Sequence, residues 1–290
     1  MSTKVGGSTT QGIAYTRLGD GPPLVLLHGL GSSRAAWTPV AANLARHHAV
    51  YALDLPGFGG SDPLPSKDPP TAGRLADAVD EALAELGVEA PHVVGNSLGG
   101  WVALELAHAR RLSSLTLLDP AGLWRKGQPT YCTVSLVLTW LTCRYAAPAL
   151  IWLSRWATGR RLLFWQVFAK PEKLTRDDVR HHVAAMARSA GFLPTLRAIR
   201  PLRYRATTDF AGPVTLAFGS ADRILLARQS RFGDQLPQQA RHVTIAEAGH
   251  VPMSDAPHRV VEIVLTTTAM SQSSSPAPSS VQDRQREEDR

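Results

Sequence analysis

The sequence predicts an α/β protein with a mostly parallel central sheet, helices on both faces and an inserted helical cap. Three observations point to it. Short apolar runs alternate with segments of helical period, that alternation breaks once for more than ninety residues, and one glycine-rich turn between a strand and a helix holds a lone serine.

The apolar runs are GIAYTRLG (12–19), PLVLLH (23–28), HAVYALDL (48–55), PHVVGN (91–96), LSSLTLLD (112–119), PVTLAFG (213–219) and RHVTIAE (241–247). Their brevity and their content of Val, Leu and Ile suit strands buried on both faces, as in a parallel sheet. Between them, ADAVDEALAELG (76–87) and WVALELAHARR (101–111) repeat apolar residues at three and four and read as covering helices. The stretch from Asp119 to Pro213 is helical in pattern throughout and too long for a loop, so it reads as a cap inserted at the sheet's carboxyl edge. These signals divide the chain into a flexible N-terminus (1–11), a core (12–124 and 206–268), a helical cap (125–205) and a disordered tail (269–290) rich in Ser and Pro and then charged.

At 290 residues and 44% hydrophobic content the chain can bury a sizeable core. Its first residues, MSTKVGGSTTQG, hold no apolar stretch of the secretory kind, so a cytoplasmic location is expected. Cys132 and Cys143 lack metal-ligand spacing and read as buried thiols, and no metal or cofactor is expected. The net charge of +7 is uneven: residues 125–205 hold 15 Lys and Arg against three acids, leaving 16 basic and 21 acidic residues elsewhere. No nucleic-acid motif accompanies this basic segment, and no nucleic-acid partner is expected. Five of the seven tryptophans (Trp124, Trp140, Trp152, Trp156, Trp165) fall in or directly beside it instead. Arginine with tryptophan on helices suits a lid over an apolar pocket or peripheral contact with a lipid surface.

In VVGNSLGGW (93–101) the strand ends just before Ser97 and the helix begins just after it. A turn that sharp drives flanking side chains into the neighbouring strand and helix, and glycine at 95, 99 and 100 relieves the crowding. Ser97 then stands exposed above the sheet, with the N–H of Leu98 aimed at any anion forming beside it. A serine needs a base, and the base an orienting acid. Asp222 follows the strand at 213–219 and His250 follows the strand at 241–247, so acid and base both lie on loops at strand ends, in the order serine, aspartate, histidine. Asp119, after the strand at 112–119, is the rival acid. The pairs His47–His48 and His181–His182 are poor spacings for one metal and read as exposed.

HGLGSS (28–33), DLPGFGGSD (54–62), GNSLGGW (95–101), GSADRIL (219–225) and AGHVPMSDAP (248–257), in that order, resemble the α/β-hydrolase superfamily, in particular its small serine esterases. The resemblance covers about 12–124 and 206–268. It implies that Ser97 attacks an acyl carbonyl, His250 moves the proton, and Asp222 orients the imidazole. It implies further that the backbone N–H groups of Leu30 and Leu98 form an oxyanion hole, while His28 and Gly29 shape the first of those loops. Asp54 is expected to tie down its own turn. Relatives that open epoxides or displace halide carry aspartate at the elbow, so Ser97 argues against both. Hydrolysis of a hydrophobic carboxylic ester is the implied function. Perhydrolysis of the haloperoxidase type and carbon–carbon bond hydrolysis stay open with the same triad, although Gly31-Ser32-Ser33 departs from the segment expected for the latter. A non-catalytic binding protein on the same scaffold is the remaining alternative.

The cap carries YCTVSLVLTWLTCRYAAPALIWLSRWA (131–157), in which Arg144 and Pro148 argue against a membrane span and for two amphipathic helices. Trp152 and Trp156, four apart, are expected on one face lining the substrate pocket, with Arg155, Arg160 and Arg161 either solvated or meeting an anionic part of the substrate.

Overall fold

The computed structural model describes residues 5–65, 67–206 and 210–273. One eight-stranded sheet organises them, with strands β1 (Val5–Ser8), β2 (Ala14–Leu18), β3 (Pro23–Leu27), β4 (Ala49–Leu53), β5 (His92–Asn96), β6 (Ser114–Leu118), β7 (Val214–Gly219) and β8 (Arg241–Ile245). Their order is β1-β2-β4-β3-β5-β6-β7-β8; β1 with β2 and β2 with β4 run antiparallel, and every other pair is parallel. Each of the seven expected runs forms a strand. The eighth, β1, corrects the expectation of a flexible N-terminus over 1–11: Val5–Ser8 pairs with Ala14–Arg17. Its residues are exposed and include two glycines, so its only structural signal is backbone pairing, which leaves no apolar pattern to read.

Period-two alternation decides which helices cover which face. Val25, Leu27, Val93, Leu115, Leu117 and Leu216 pack with α2 (Ala72–Glu85) and α3 (Leu98–Ala109). Leu24, Leu26, Val94, Leu118 and Ala217 face the other way, where they meet α1 (Thr38–Leu44) and α10 (Pro257–Ser273). The strands are therefore apolar on both faces. The α2 helix begins at Ala72, four residues ahead of the expected start, because the Thr71 hydroxyl accepts from Arg74 N–H and caps it. At the far end α10 runs past residue 268 to Ser273, which corrects the expected start of the tail; residues 274–290 lie outside the described residues.

The interval between β6 and β7 is helical, as expected: α4 (Thr130–Leu153), α5 (Ala157–Phe164), α6 (Arg176–Arg188) and α7 (Phe192–Ile199). As expected for 131–157, two helical segments meet near Pro148: α4 is broken at Ala146, whose φ −117 and ψ 17 are not helical. A reciprocal capping box, Thr175 with Asp178, starts α6. Two single-turn helices, α8 (Ala227–Ser230) and α9 (Pro252–Asp255), follow β7 and the loop after β8. Cys132 and Cys143 are free and buried on α4, and burial pushes their thiols up to about 12 and about 11.

Asp54 does more than close its own turn. Its carboxylate accepts from Gly60 N–H at 2.7 Å in that turn, accepts from Arg34 N–H at 2.6 Å in the loop after β3, and pairs with the Arg34 guanidinium. Because it is buried and bonded to two loops, Asp54→Ala strands several donors; unfolding in urea is expected to show a loss of about 2–4 kcal/mol, with Asp54→Asn losing less.

Candidate active site

At the carboxyl end of β5, Ser97 adopts φ 55 and ψ −117, a conformation that non-glycine residues rarely take. The surroundings hold it there. Its N–H donates to Leu118 carbonyl at 3.0 Å, and its carbonyl accepts from Gly100 and Ala121 N–H at 3.0 and 2.9 Å. A Cβ on Gly95 would overlap the Gly99 carbonyl, and one on Gly99 would overlap the Leu27 carbonyl, so the strand and helix approach this closely only because both are glycine.

The three residues that the sequence picks out meet. Ser97 Oγ lies 2.9 Å from His250 Nε2, and His250 Nδ1 lies 3.0 Å from Asp222 Oδ2. Asp222 Oδ1 accepts from Ile224 and Leu225 N–H at 2.7 and 3.0 Å, which fixes the carboxylate in its own turn. Burial opposes its charge, but His250 and these N–H donors outweigh burial and hold its pKa below the ordinary carboxylate value.

Asp119, the rival acid, is fully buried beside this pair but bonds elsewhere: its Oδ1 accepts from Gly219 N–H at 2.9 Å. Burial first, and then the charge of Asp222, raise its pKa well above the usual range. The raised pKa favours the protonated acid beside the charged Asp222, and its Oδ2 is buried without a hydrogen-bond partner among the described residues. Asp119, Asp222 and His250 have the composition of a metal site; the facing atoms of Asp222 and His250 are committed to each other and to Ser97, while Asp119 Oδ2 has no such partner among the described residues.

Leu98 is the first residue of α3, so its N–H has no partner within the helix. The loop bearing Leu30 lies against Ser97, where a Cβ on Gly29 would come within 3.1 Å of the serine Cβ. His28 shapes that loop: its Nδ1–H donates to Gly29 carbonyl at 2.8 Å while its Nε2 accepts from Leu55 N–H at 3.0 Å. Burial lowers its pKa, which keeps this single tautomer neutral.

A cavity of about 110 Å³ stands over Ser97, enclosed by Leu30, Leu136, Phe164, Phe168, Met186 and Ile224 among others. Trp152 and Trp156 do not line it. They sit half-exposed on the outside of the cap, with ring centroids 4.9 Å apart and Arg155 over both, because α4 ends at Leu153 and Trp156 falls in the following turn. Neither do the arginines. Arg160 donates to the carbonyls of Ser154 and Glu172, and Arg161 pairs with Glu172. No Lys or Arg lines this chamber among the described residues.

Two of the four histidines expected at the surface are also elsewhere. His48 is buried, bonding Thr268 Oγ1 and Pro22 carbonyl through its two ring nitrogens at 3.2 Å each. His182 lines the chamber against Phe168, and burial drops its pKa to about 4. In each pair the chain direction turns one ring outward and its neighbour inward.

Sequence reasoning missed two fastening residues. Asn96 Nδ2 donates to the carbonyls of His250 and Leu118 at 3.0 and 3.1 Å, tying the base's loop to the elbow. Asp255 accepts from Gly249 N–H at 2.8 Å and from Ala169 and Lys170 N–H at 2.9 and 3.1 Å, tying the same loop to the cap. Both lie inside motifs that resemblance picks out, GNS and SDAP; a polar side chain adjoining Ser97 and a carboxylate five residues past His250 are the available signals.

A hydrogen-bonded serine, histidine and aspartate at the carboxyl edge of a mostly parallel sheet, under a helical cap, define a hydrolase of the α/β class. The chain belongs to the alpha/beta hydrolase family, whose profile matches residues 24–263. It is similar to an epoxide hydrolase of Mycobacterium tuberculosis, EphH, at 33% identity over 202 residues, covering 66% of this chain and 91% of that protein. A pimeloyl-[acyl-carrier protein] methyl ester esterase of Aeromonas hydrophila is 27% identical over 267 residues, covering 87% of this chain and 97% of the esterase. Among solved structures, a bacterial membrane phospholipase A superposes with a TM-score of 0.72 at 25% identity, covering 93% of this chain and 87% of that one.

The raised Asp119 pKa has a measurable sign. Its proton's contribution to stability is fully present below the unfolded carboxyl pKa of about 3.9 and is lost as pH rises toward the folded value. Relative to Asp119→Asn, which stays neutral, the wild type is expected to lose up to about 1.4 kcal/mol per pH unit above pH ~4 in urea titrations. Parallel pH profiles for the two proteins would show that Asp119 ionises normally.

Proposed function

We propose that the protein hydrolyses carboxylic esters of hydrophobic small molecules through an acyl-enzyme on Ser97. One observation carries this: the unbroken chain from Ser97 Oγ through His250 to Asp222, opening into an apolar chamber. His250 Nε2 takes the hydroxyl proton as Oγ attacks the acyl carbon. The resulting oxyanion sits beside Leu98 N–H and the Leu30 loop, and the proton on His250 passes to the departing alcohol. Water, deprotonated in turn by His250, then splits the acyl-serine ester and restores the serine. Asp222 keeps Nδ1 protonated and balances the imidazolium.

Chemistry at the elbow separates the candidates among the relatives. A serine that opened an epoxide would be left as an ether, which water does not cleave under mild conditions, whereas acyl transfer leaves an ester that this machinery hydrolyses. The full-length similarity to a methyl ester esterase supports the same choice. The absence of cations from the chamber wall, among the described residues, favours a neutral acyl group and withdraws the expectation that Arg155, Arg160 or Arg161 meets an anionic substrate. It also disfavours carbon–carbon hydrolysis of an acidic substrate.

Wild type, Ser97→Ala and Asp222→Asn should be compared on p-nitrophenyl esters of increasing acyl length, with fluorophosphonate labelling in parallel. The wild type is expected to label and to turn over, Ser97→Ala to do neither, and Asp222→Asn to lose about 10³–10⁴-fold in kcat. A wild type that neither labels nor hydrolyses any ester would overturn the esterase reading.

A further inference from the structure

Helix α4 carries its larger apolar side chains on the wrong side for a cap that only covers a core. Toward the protein it buries Cys132, Ser135, Cys143 and Leu150. Toward solvent it presents Tyr131, Val134, Leu138, Leu141, Tyr145, Pro148 and Trp152, a stripe spaced alternately three and four residues apart. Leu138 is 57% and Tyr145 76% exposed, and Leu162 on neighbouring α5 is 73% exposed. The helix is long and apolar enough to cross a membrane, yet only 17% of its most apolar stretch is buried in the protein. Single exposed leucines are ordinary; a continuous stripe of this kind implies something that covers it.

We propose that this face of the cap docks on a bilayer carrying anionic headgroups, with α4 lying along the surface rather than spanning it. Charge selects that occupant. From Pro120 to Pro171 the chain has seven basic residues and no acid in 52 positions. Arg144 and Arg155 are exposed beside the stripe, and Arg155 lies 4.9 and 5.0 Å from the half-exposed rings of Trp152 and Trp156. Tryptophan, tyrosine and arginine flanking an apolar face are the chemistry of a membrane interface. A second copy of the chain seated on the same face would bring these cations together with no carboxylate from this segment to pair them. Spanning is disfavoured by Arg144 near the centre of α4, by the kink at Ala146, and by the buried inner face that holds α4 to the cap.

The docking face also leads inward. A groove of about 550 Å³ runs between α4 and α5, lined by Tyr131, Val134, Leu138, Leu163 and Trp165. It shares Thr139, Cys143, Phe164 and Val167 with the wall of the chamber over Ser97. An acyl chain leaving the bilayer would enter this groove and reach the serine by displacing the Phe164 and Val167 side chains. This last step rests on the esterase reading; the docking does not.

Co-sedimentation of the full chain with phosphatidylcholine vesicles, with and without phosphatidylglycerol, tests the docking. Wild type and Ser97→Ala are expected to pellet with the anionic vesicles and to be released by salt, while Leu141→Ser combined with Tyr145→Ser binds at least tenfold more weakly. These side chains are exposed, so the double variant should hydrolyse a soluble short-chain ester at the wild-type rate, which also reports that it folds. Failure of the wild type to pellet, or undiminished pelleting of the double variant, would overturn the proposal. So would a dimer in vesicle-free solution that the double variant converts to monomer, since a second copy would then be the occupant. Loss of turnover on every ester with vesicle binding intact would count against the esterase reading alone.

Discussion

Everything in this site depends on the backbone of one residue being held where it does not prefer to be. The φ of 55 at Ser97 costs on the order of 1–3 kcal/mol for a residue with a Cβ. The cost is met by hydrogen bonds of the Ser97 N–H and carbonyl to the ends of β6 and α3, and by the central β5–β6 pairing behind them. Because β5 is flanked by strands on both sides and covered on both faces, the turn has nowhere to relax. The same strain lifts Oγ clear of the sheet and points the first N–H of α3 at the space beside it, so one local conformation presents both the hydroxyl and a donor.

The base is positioned differently, by a loop with no regular structure and several fasteners. Asn96 holds the His250 carbonyl from the elbow side, and Asp255 gathers three backbone N–H groups, one from the loop itself and two from cap residues 169 and 170. The His250 N–H also donates to Val167 carbonyl at 2.9 Å. The cap is thus bonded directly to the loop that carries the base. A cap displaced from the sheet would break these bonds and withdraw support from His250, which couples closure of the chamber to alignment of the imidazole without any further device.

Patterns that report burial or local geometry were legible in the sequence; choices made by tertiary contact were not. Runs such as PLVLLH and LSSLTLLD are apolar because both faces of those strands are covered, and the glycines around Ser97 are forced by close approach, so strands and elbow could be read from residue type alone. β1 could not, since Val5–Ser8 is exposed and held by backbone bonds that any side chain allows. The four-residue spacing of Trp152 and Trp156 predicts a shared helical face over the pocket only if the helix continues and both rings point inward; α4 ends between them and both rings lie outside. Nothing near His48 or His182 in the sequence offers a partner, so both read as exposed; their partners, Thr268 and Phe168, are brought to them only by the fold.

Burying two carboxylates side by side beneath a histidine raises the question of which one carries the charge, and the structure answers through solvation. Asp222 has two backbone N–H donors on one oxygen and the imidazole on the other, which replace much of the water that its charge lost. Asp119 has a single backbone donor, from Gly219, and, after burial, the charge of Asp222 raises its pKa by more than that of Arg231 lowers it. In an environment of low dielectric two adjacent negative charges repel strongly, so the less solvated group keeps its proton. The outcome matters for the reaction: one negative charge, placed on Nδ1 of His250, matches the one positive charge that the imidazole gains as Ser97 gives up its proton. A second ionised carboxylate would over-stabilise the imidazolium and hold the proton that the leaving alcohol needs. A neutral Asp119 keeps the charge at one, and its Oδ2, buried without a hydrogen-bond partner among the described residues, leaves the Asp222 carboxylate to the imidazole and its own two N–H donors.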